Sequence, residues 1–199
     1  MNNKLTLIFA IIILPFLLSC EKENTRIPDF FVEFATVKLE DSAIRFTLDN
    51  GTVLRPNVDT KLDLEDGDRV ILNYTPLKDE LITINSARKI FVDSIKAEGY
   101  PDKVITSPIK IITIRVSGHY LNMSFEVDYH SKSHATALFR DFNAEKPTLY
   151  FSYSREDDPP GAPTLTYLSF DLSSLDKNTS FIVYVNTDEG MQKRELQID

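Results

Sequence analysis

Three histidines, His119, His130 and His134, are the residues of this 199-residue chain best suited by type to hold a metal. Their spacing is H-x10-H-x3-H, and Asp128 lies two residues before the second. Three imidazoles and an oxygen ligand are the chemistry of a catalytic zinc. The segment DYHSKSHA, however, has no helical period to put His130 and His134 on one face. His119 falls in a turn beside Gly118. All three are therefore expected to be solvated surface groups. The acidic stretches Asp63–Asp68 and Arg155–Asp158 invite a calcium reading, since calcium loops place oxygen ligands alternately around a glycine turn. Aligning Gly67 with that glycine puts Leu62 and Leu64 where ligands belong, so the first stretch fails. Glu156, Asp157 and Asp158 could share a cation, but REDDPPGAP reads first as a solvated loop. There is no G-x-S-x-G, no H-E-x-x-H and no phosphate-cradling glycine loop. Paired carboxylates could cleave glycosidic bonds, yet nothing in the sequence selects a pair. No catalytic residue, metal or cofactor is expected.

The single cysteine has a different chemistry. Cys20 closes an apolar run from Leu5 to Leu18 that follows one positive charge, Lys4, and is broken only by Thr6 and Pro15. About 20 apolar residues are needed to span a bilayer, so this run is too short; its form is that of a secretory signal. The tetrapeptide Leu17-Leu18-Ser19-Cys20 resembles the bacterial lipobox. That resemblance implies diacylglyceryl transfer to the Cys20 thiol, cleavage before Cys20 and acylation of the freed amine. Each buried CH₂ contributes roughly 0.8 kcal/mol and stable anchoring needs more than one chain, so Cys20 is expected to tie the protein to a membrane that it does not span. Residues 1–19 are then the signal peptide, and residues 20–29 the lipidated Cys with a polar, flexible tether.

The elements that would follow are strands. Period-two alternation begins near Phe30 and recurs in short segments bounded by Gly, Pro, Asn and Asp, the mark of half-buried strands. Asp49-Asn50-Gly51 separates AIRFTL from TVLRP and predicts a type I′ hairpin, in which both central residues need φ > 0. RVILNYT from Arg69 to Thr75 is a strong strand, and Arg88–Ile95 a further one in the same half. Gly99-Tyr100-Pro101-Asp102 and Ser107-Pro108 break the pattern, which places a domain boundary there and gives domains over 30–103 and 104–199. In the second half, strands are predicted over Ile109–Ser117, Tyr120–His130, Thr148–Ser154, Thr166–Leu172, Phe181–Thr187 and Met191–Ile198. Ser133–Phe142 reads as a helical turn or a strand, and Ser154–Thr164 as irregular.

The formal net charge is −8, and removal of Lys4 with the signal takes it to −9. Such a charge opposes nucleic acid, whose phosphates require clustered Lys and Arg. With Cys20 acylated, no thiol remains for a disulfide, for zinc or for a nucleophile. The 13 Phe and 8 Tyr, with no Trp, must supply much of the core. Tyr74, Tyr120, Tyr129, Tyr150 and Tyr153 could stack on sugar rings, although strand aromatics more often fill cores.

The order FTLDNGTVLRP, DGDRVILNYT, SGHYLNMSFEV, LYFSYSREDD and YLSFDLSSL, behind a lipobox, resembles the NigD-like lipoproteins of Bacteroidetes over about Phe30–Ile198. The resemblance implies an all-β chain, with an N-terminal OB-like barrel followed by a C-terminal β-sandwich. It brings no active site, only a bacteriocin-immunity role suggested by gene position. It points to a non-enzymatic envelope protein, held by acyl groups on Cys20 at a membrane, most naturally the outer one, with an envelope protein or glycan as partner. The alternatives are an immunity-like factor and a hydrolase with an unrecognised carboxylate site. Asp41-Ser42-Ala43 and Asp93-Ser94-Ile95 also resemble the Asp-Ser/Thr-apolar O-glycosylation motif of that phylum, which makes Ser42 and Ser94 candidate glycan acceptors.

Overall fold

A computed structural model describes residues 29–41, 43–129 and 131–198. The described residues contain thirteen strands and no helix. The first five are β1 (Phe31–Glu40), β2 (Ala43–Leu48), β3 (Val53–Pro56), β4 (Arg69–Pro76) and β5 (Leu81–Lys89). They close into a barrel in the order β1-β2-β3-β5-β4. Closure removes the exposed strand edges that an open five-stranded sheet would carry. Its interior is filled by alternate residues, among them Val37, Phe46, Leu54, Val70, Leu72 and Ile82.

The remaining strands are β6 (Phe91–Lys96), β7 (Lys110–Ser117), β8 (Tyr120–Tyr129), β9 (Ala135–Asp141), β10 (Thr148–Ser154), β11 (Ala162–Asp171), β12 (Ser180–Thr187) and β13 (Gly190–Gln197). They run in the order β13-β12-β10-β9-β6-β11-β8-β7. One layer is β7, β8 and β11; the other is β9, β10, β12 and β13. Between the layers, Leu121, Met123, Phe125, Phe151, Phe170, Phe181 and Val183 form one core. Full burial of each such side chain contributes about 1.5–3 kcal/mol.

Strand β6 belongs to both layers. Its first half pairs in parallel with β11, Phe91 opposite Leu168 through Ser94 opposite Asp171. Its second half pairs in parallel with β9, Ile95 opposite Leu138 and Lys96 opposite Phe139. The sequence reading put these residues in the first domain and its end at residue 103. The pairing corrects that: β6 is a strand of the second sheet, and the chain changes domain at Ile90. Gly99-Tyr100-Pro101 is a connection inside the second domain, with a cis bond before Pro101. Period-two patterning marks β6 as a strand but carries no signal of which sheet it joins.

Two local expectations also change. The Asp49-Asn50-Gly51 hairpin exists, but as a three-residue loop. The Gly51 N–H bonds the Leu48 carbonyl and the Leu48 N–H bonds Thr52, and only Gly51 has positive φ, +88°. This is a type I turn closed by a left-handed glycine rather than a type I′ turn. Of the two readings of Ser133–Phe142 the strand holds, as β9 over Ala135–Asp141, while β11 begins at Ala162, inside the segment read as irregular.

The two domains pack together. In β4, Arg69, Val70, Ile71 and Leu72 are all buried in succession. Val70 and Leu72 face the barrel, while Ile71 joins Phe34 and Ile90 against Tyr167 of β11. Consecutive burial is what a strand covered on both faces shows.

Candidate functional site

The junction is keyed by Arg69, whose side chain is 1% exposed. Its Nη1 donates to Asp49 Oδ1 at 2.5 Å and to Thr36 Oγ1 at 3.1 Å. Its Nη2 donates to Asp49 Oδ2 at 3.1 Å, Asn122 Oδ1 at 3.0 Å and Ser169 Oγ at 3.3 Å. Thr36 and Asp49 belong to the barrel; Asn122 and Ser169 are fully buried in β8 and β11 of the other domain. The guanidinium also lies 3.9 Å from the Tyr120 ring centre. The Asp49 turn approaches closely: a Cβ on Gly118, at φ +57°, would stand 2.9 Å from the Asp49 carbonyl oxygen. The network joins the two domains and leaves no group facing solvent for chemistry, so its role is positional.

The second polar constellation lies at the edge of the sandwich. Asp158 is buried, not solvated. Its Oδ1 accepts from Ser131 Oγ at 2.8 Å, and its Oδ2 lies 3.0 Å from His134 Nε2. On the other side of the ring, the Tyr153 hydroxyl bonds His134 Nδ1. A carboxylate can only accept, so in the neutral ring Nε2 carries the proton and Nδ1 accepts from Tyr153. Burial pushes the Tyr153 hydroxyl up to about 12, which keeps it a neutral phenol. The relay runs Tyr153 to His134 to Asp158 and ties the loop after β8 to the loop after β10. The group at its head is a phenol made less acidic.

This outcome corrects two expectations. His134 is not a solvated histidine, since its side chain is 6% exposed. The REDD stretch divides, with Asp157 paired to Lys132 at the surface and Asp158 turned inward. His119 lies near Tyr120, ring centres 4.0 Å apart, and His130 is outside the described residues. Among the described residues, no three His, Cys, Asp or Glu side chains are placed to hold a metal.

Behind the relay a cavity of about 280 Å³ opens into the sandwich. Phe91, Phe125, Val127 and Leu168 form its apolar wall, and Tyr153, His134, Thr136 and Thr166 its polar one. Topology makes the opening. Among the described residues β9 and β11 are joined only through β6, which begins at Phe91 and meets β9 at Ile95 and Lys96 alone, so the N-terminal portions of β9 and β11 separate with no strand between them.

The tyrosines proposed for sugar stacking are otherwise engaged. Tyr74 fills the barrel and donates to Glu33 at 2.6 Å. Tyr120 lies under Arg69. Tyr150 is stacked on both sides, by Tyr100 at 4.5 Å and Tyr184 at 5.0 Å, so its ring faces are covered by protein. The side chain of Tyr129 is outside the description. Of the remaining sites, Cys20 and Ser42 fall outside the described residues. Ser94 is exposed on β6, beside an Asp93 that bonds Lys96 at 2.7 Å. The Arg69 network was missed in the sequence, where its one trace is a charged residue heading an otherwise apolar strand. The His134–Asp158 pair was missed because 23 residues intervene between them.

Two family models match the chain. One, a NigD-like N-terminal OB domain, matches residues 34–91. The other, a NigD-like C-terminal beta sandwich domain, matches residues 92–198. No curated protein matches it. Among solved structures, it is similar to a protein of Parabacteroides distasonis provisionally described as toxin related. Identity there is 29%, with 84% of this chain and 92% of that one covered and a TM-score of 0.69. A protein of unknown function from Bacteroides vulgatus aligns at 21% identity over 85% and 91% of the two chains, with a TM-score of 0.71. A NigD-like immunity protein from Bacteroides caccae aligns at 21% identity over 85% and 92%, with a TM-score of 0.64. The last two likenesses concern the fold alone.

Proposed function

The chain belongs to the NigD-like family, and from that premise we propose that it is a lipid-anchored, non-enzymatic binding protein of the bacterial cell envelope. The observation that carries the proposal is Leu17-Leu18-Ser19-Cys20 followed by a polar segment and then by two β-domains joined through a buried ion pair. Such a chain presents a jointed but firm body at the end of a tether. The absence of a recognisable catalytic motif in the sequence, and a histidine relay closed on itself, support binding over catalysis. The partner is a protein or glycan of the envelope, and the membrane is the outer one.

The test is metabolic labelling with an alkynyl palmitate analogue, followed by membrane fractionation. Wild-type chain takes up label and pellets with membranes; Cys20→Ala does neither. Unlabelled, soluble wild-type protein would sink the proposal. Protease treatment of intact and lysed cells then gives the face on which residues 30–199 lie. A narrower version makes the partner a bacteriocin-type toxin, with support from the immunity and toxin-related descriptions carried by solved relatives. It requires that deletion sensitise cells to such a toxin. Ser42 and Ser94 remain proposed glycan acceptors; an intact mass from the native host that matches the unglycosylated lipoprotein would remove them.

A further inference from the structure

The cavity between β9 and β11 has features that a packing defect lacks. Voids in cores are normally few and no larger than a water molecule, since a larger one costs stability that partial relaxation of its walls does not recover. Here the gap follows from topology: among the described residues β6 alone links β9 to β11, it meets β9 only at Ile95 and Lys96, and it begins at Phe91. At that point Phe91 is left 46% exposed, a large ring held at the mouth of an apolar space. It stands edge-on to Phe170, with ring centres 6.3 Å apart. Inside, Phe125 stands edge-on to Tyr153 at 6.0 Å. Such edge-to-face arrays leave a geometry that a third ring can extend.

The polar side of the cavity narrows the occupant further. Among the described residues, Lys, Arg, Asp and Glu are absent from its lining. A charged guest would lose its hydration with no opposite charge to replace it, which is costly. Asp158 holds the far side of the His134 ring, and in the neutral ring with Nε2–H on that carboxylate the Tyr153 hydroxyl donates to His134 Nδ1. The phenolic oxygen therefore keeps acceptor capacity, and the relay fixes its orientation. A guest that carries an N–H or O–H matches it better than one that carries only acceptors.

We propose that this cavity is a binding site for a single uncharged aromatic ring bearing a hydrogen-bond donor, of the indole or phenol type. The ring enters past Phe91, lies against Phe125 and Leu168, and directs its donor at the Tyr153 oxygen. The volume accommodates one ring system, either free or as the end of a larger molecule. The proposal rests on the reading of this protein as a binding module. It adds the ligand chemistry to that reading.

The experiment uses the processed lipoprotein in lipid nanodiscs, because detergent would compete for an apolar cavity. Saturation-transfer difference NMR is recorded with indole, 4-methylphenol and benzoate, against nanodiscs without protein. Indole and 4-methylphenol are expected to show protein-dependent saturation, and benzoate none. Thr136→Trp fills the cavity and should abolish the signal, whereas Val58→Trp, at an exposed barrel position, should leave it intact. Since Thr136→Trp also loads a packed strand, Phe91→Ala at the mouth is the second variant, with binding expected to weaken by about fivefold, the worth of one aromatic contact. Saturation no greater than in protein-free nanodiscs overturns the proposal. So does an undiminished signal in both variants, or benzoate that binds as well as indole. N-acetyl-tryptophanamide separates the sources: binding as tight as indole means the ring can come on a peptide, and rejection means a free small molecule. A chain that incorporates palmitate but ignores indole loses this site alone, while an unlabelled chain that binds indole loses only the anchor.

Discussion

Replacement of Arg69 by Met tests how the two domains are held. Met keeps the aliphatic stem and removes the guanidinium, and with it the five hydrogen bonds to Thr36, Asp49, Asn122 and Ser169. Asp49, whose side chain is 7% exposed, then remains as a buried carboxylate with Asn122 Nδ2 still at 2.5 Å and no cation. Removal of one partner from a buried ion pair costs about 3–5 kcal/mol. A domain's whole stability is about 5–15 kcal/mol, so the loss should be plain in urea unfolding followed by far-UV circular dichroism. The cost should fall mainly on the interface: the wild type should unfold in one transition and Arg69→Met in two, one for each domain. A double-mutant cycle with Asp49→Asn isolates the pair. The double substitution should cost about 2 kcal/mol less than the two singles summed, within the range known for directly coupled residues. A change in Arg69→Met of about 0.5 kcal/mol or less, the worth of a surface pair, would refute the reasoning. Additive singles would refute it too.

Gly118→Ala should destabilise by about 1–3 kcal/mol, since it places a Cβ at positive φ against the Asp49 carbonyl; thermal unfolding measures it, and the same change at exposed Gly190, where nothing lies within 4 Å, separates the steric part from the strain. Asp158→Asn should weaken the link between the loops after β8 and β10, seen as faster limited proteolysis within 155–161 while the circular dichroism spectrum stays native. On the alkaline side the sign follows from Tyr153. Its hydroxyl is pushed up to about 12 by burial, above the ordinary value of about 10. Its contribution is therefore fully present below pH 10 and is lost as pH rises toward 12. Absorbance at 295 nm should show a group of tyrosines that titrates only above the ordinary range, and Tyr153→Phe should reduce that group by one. Coincident titration of all eight tyrosines near pH 10 in folded protein would count against it.

Most of the architecture is legible in the sequence because strand formation leaves a local signature. Alternation in AIRFTL and SFIVYVNT, and the apolar run Val70-Ile71-Leu72, report one-sided and two-sided burial respectively. What stays hidden is long-range. Nothing local distinguishes FVDSIK as a strand of the second sheet, since its partners Leu168–Asp171 and Leu138–Phe139 lie more than 40 residues away. The turn type at Asp49 is hidden for a related reason. Asn-Gly alone favours type I′, but the pairing of Asp49 with Arg69 and Asn122 accompanies a three-residue loop that turns the carboxylate inward. His134 and Asp158 look solvated on composition, in HSKSH and REDD, and only the approach of β9 to β10 brings them together.

The ion pair and the cavity are joined by a short piece of backbone. Ile90 follows the last barrel strand and its N–H bonds the Arg69 carbonyl at 3.0 Å. Its side chain is buried with Phe34 and Ile71 against Tyr167. The next residue is Phe91, the ring at the cavity mouth. The position of Phe91 is therefore set from the barrel side, by the strand that Arg69 begins, as much as from the sandwich side, by its pairing with Leu168. A ring seated against Phe91 stabilises the arrangement in which Ile90 is docked, and any such coupling is reciprocal. The cavity is thus placed where occupancy and domain packing act on the same residue pair, which a cavity elsewhere in the sandwich core could not do.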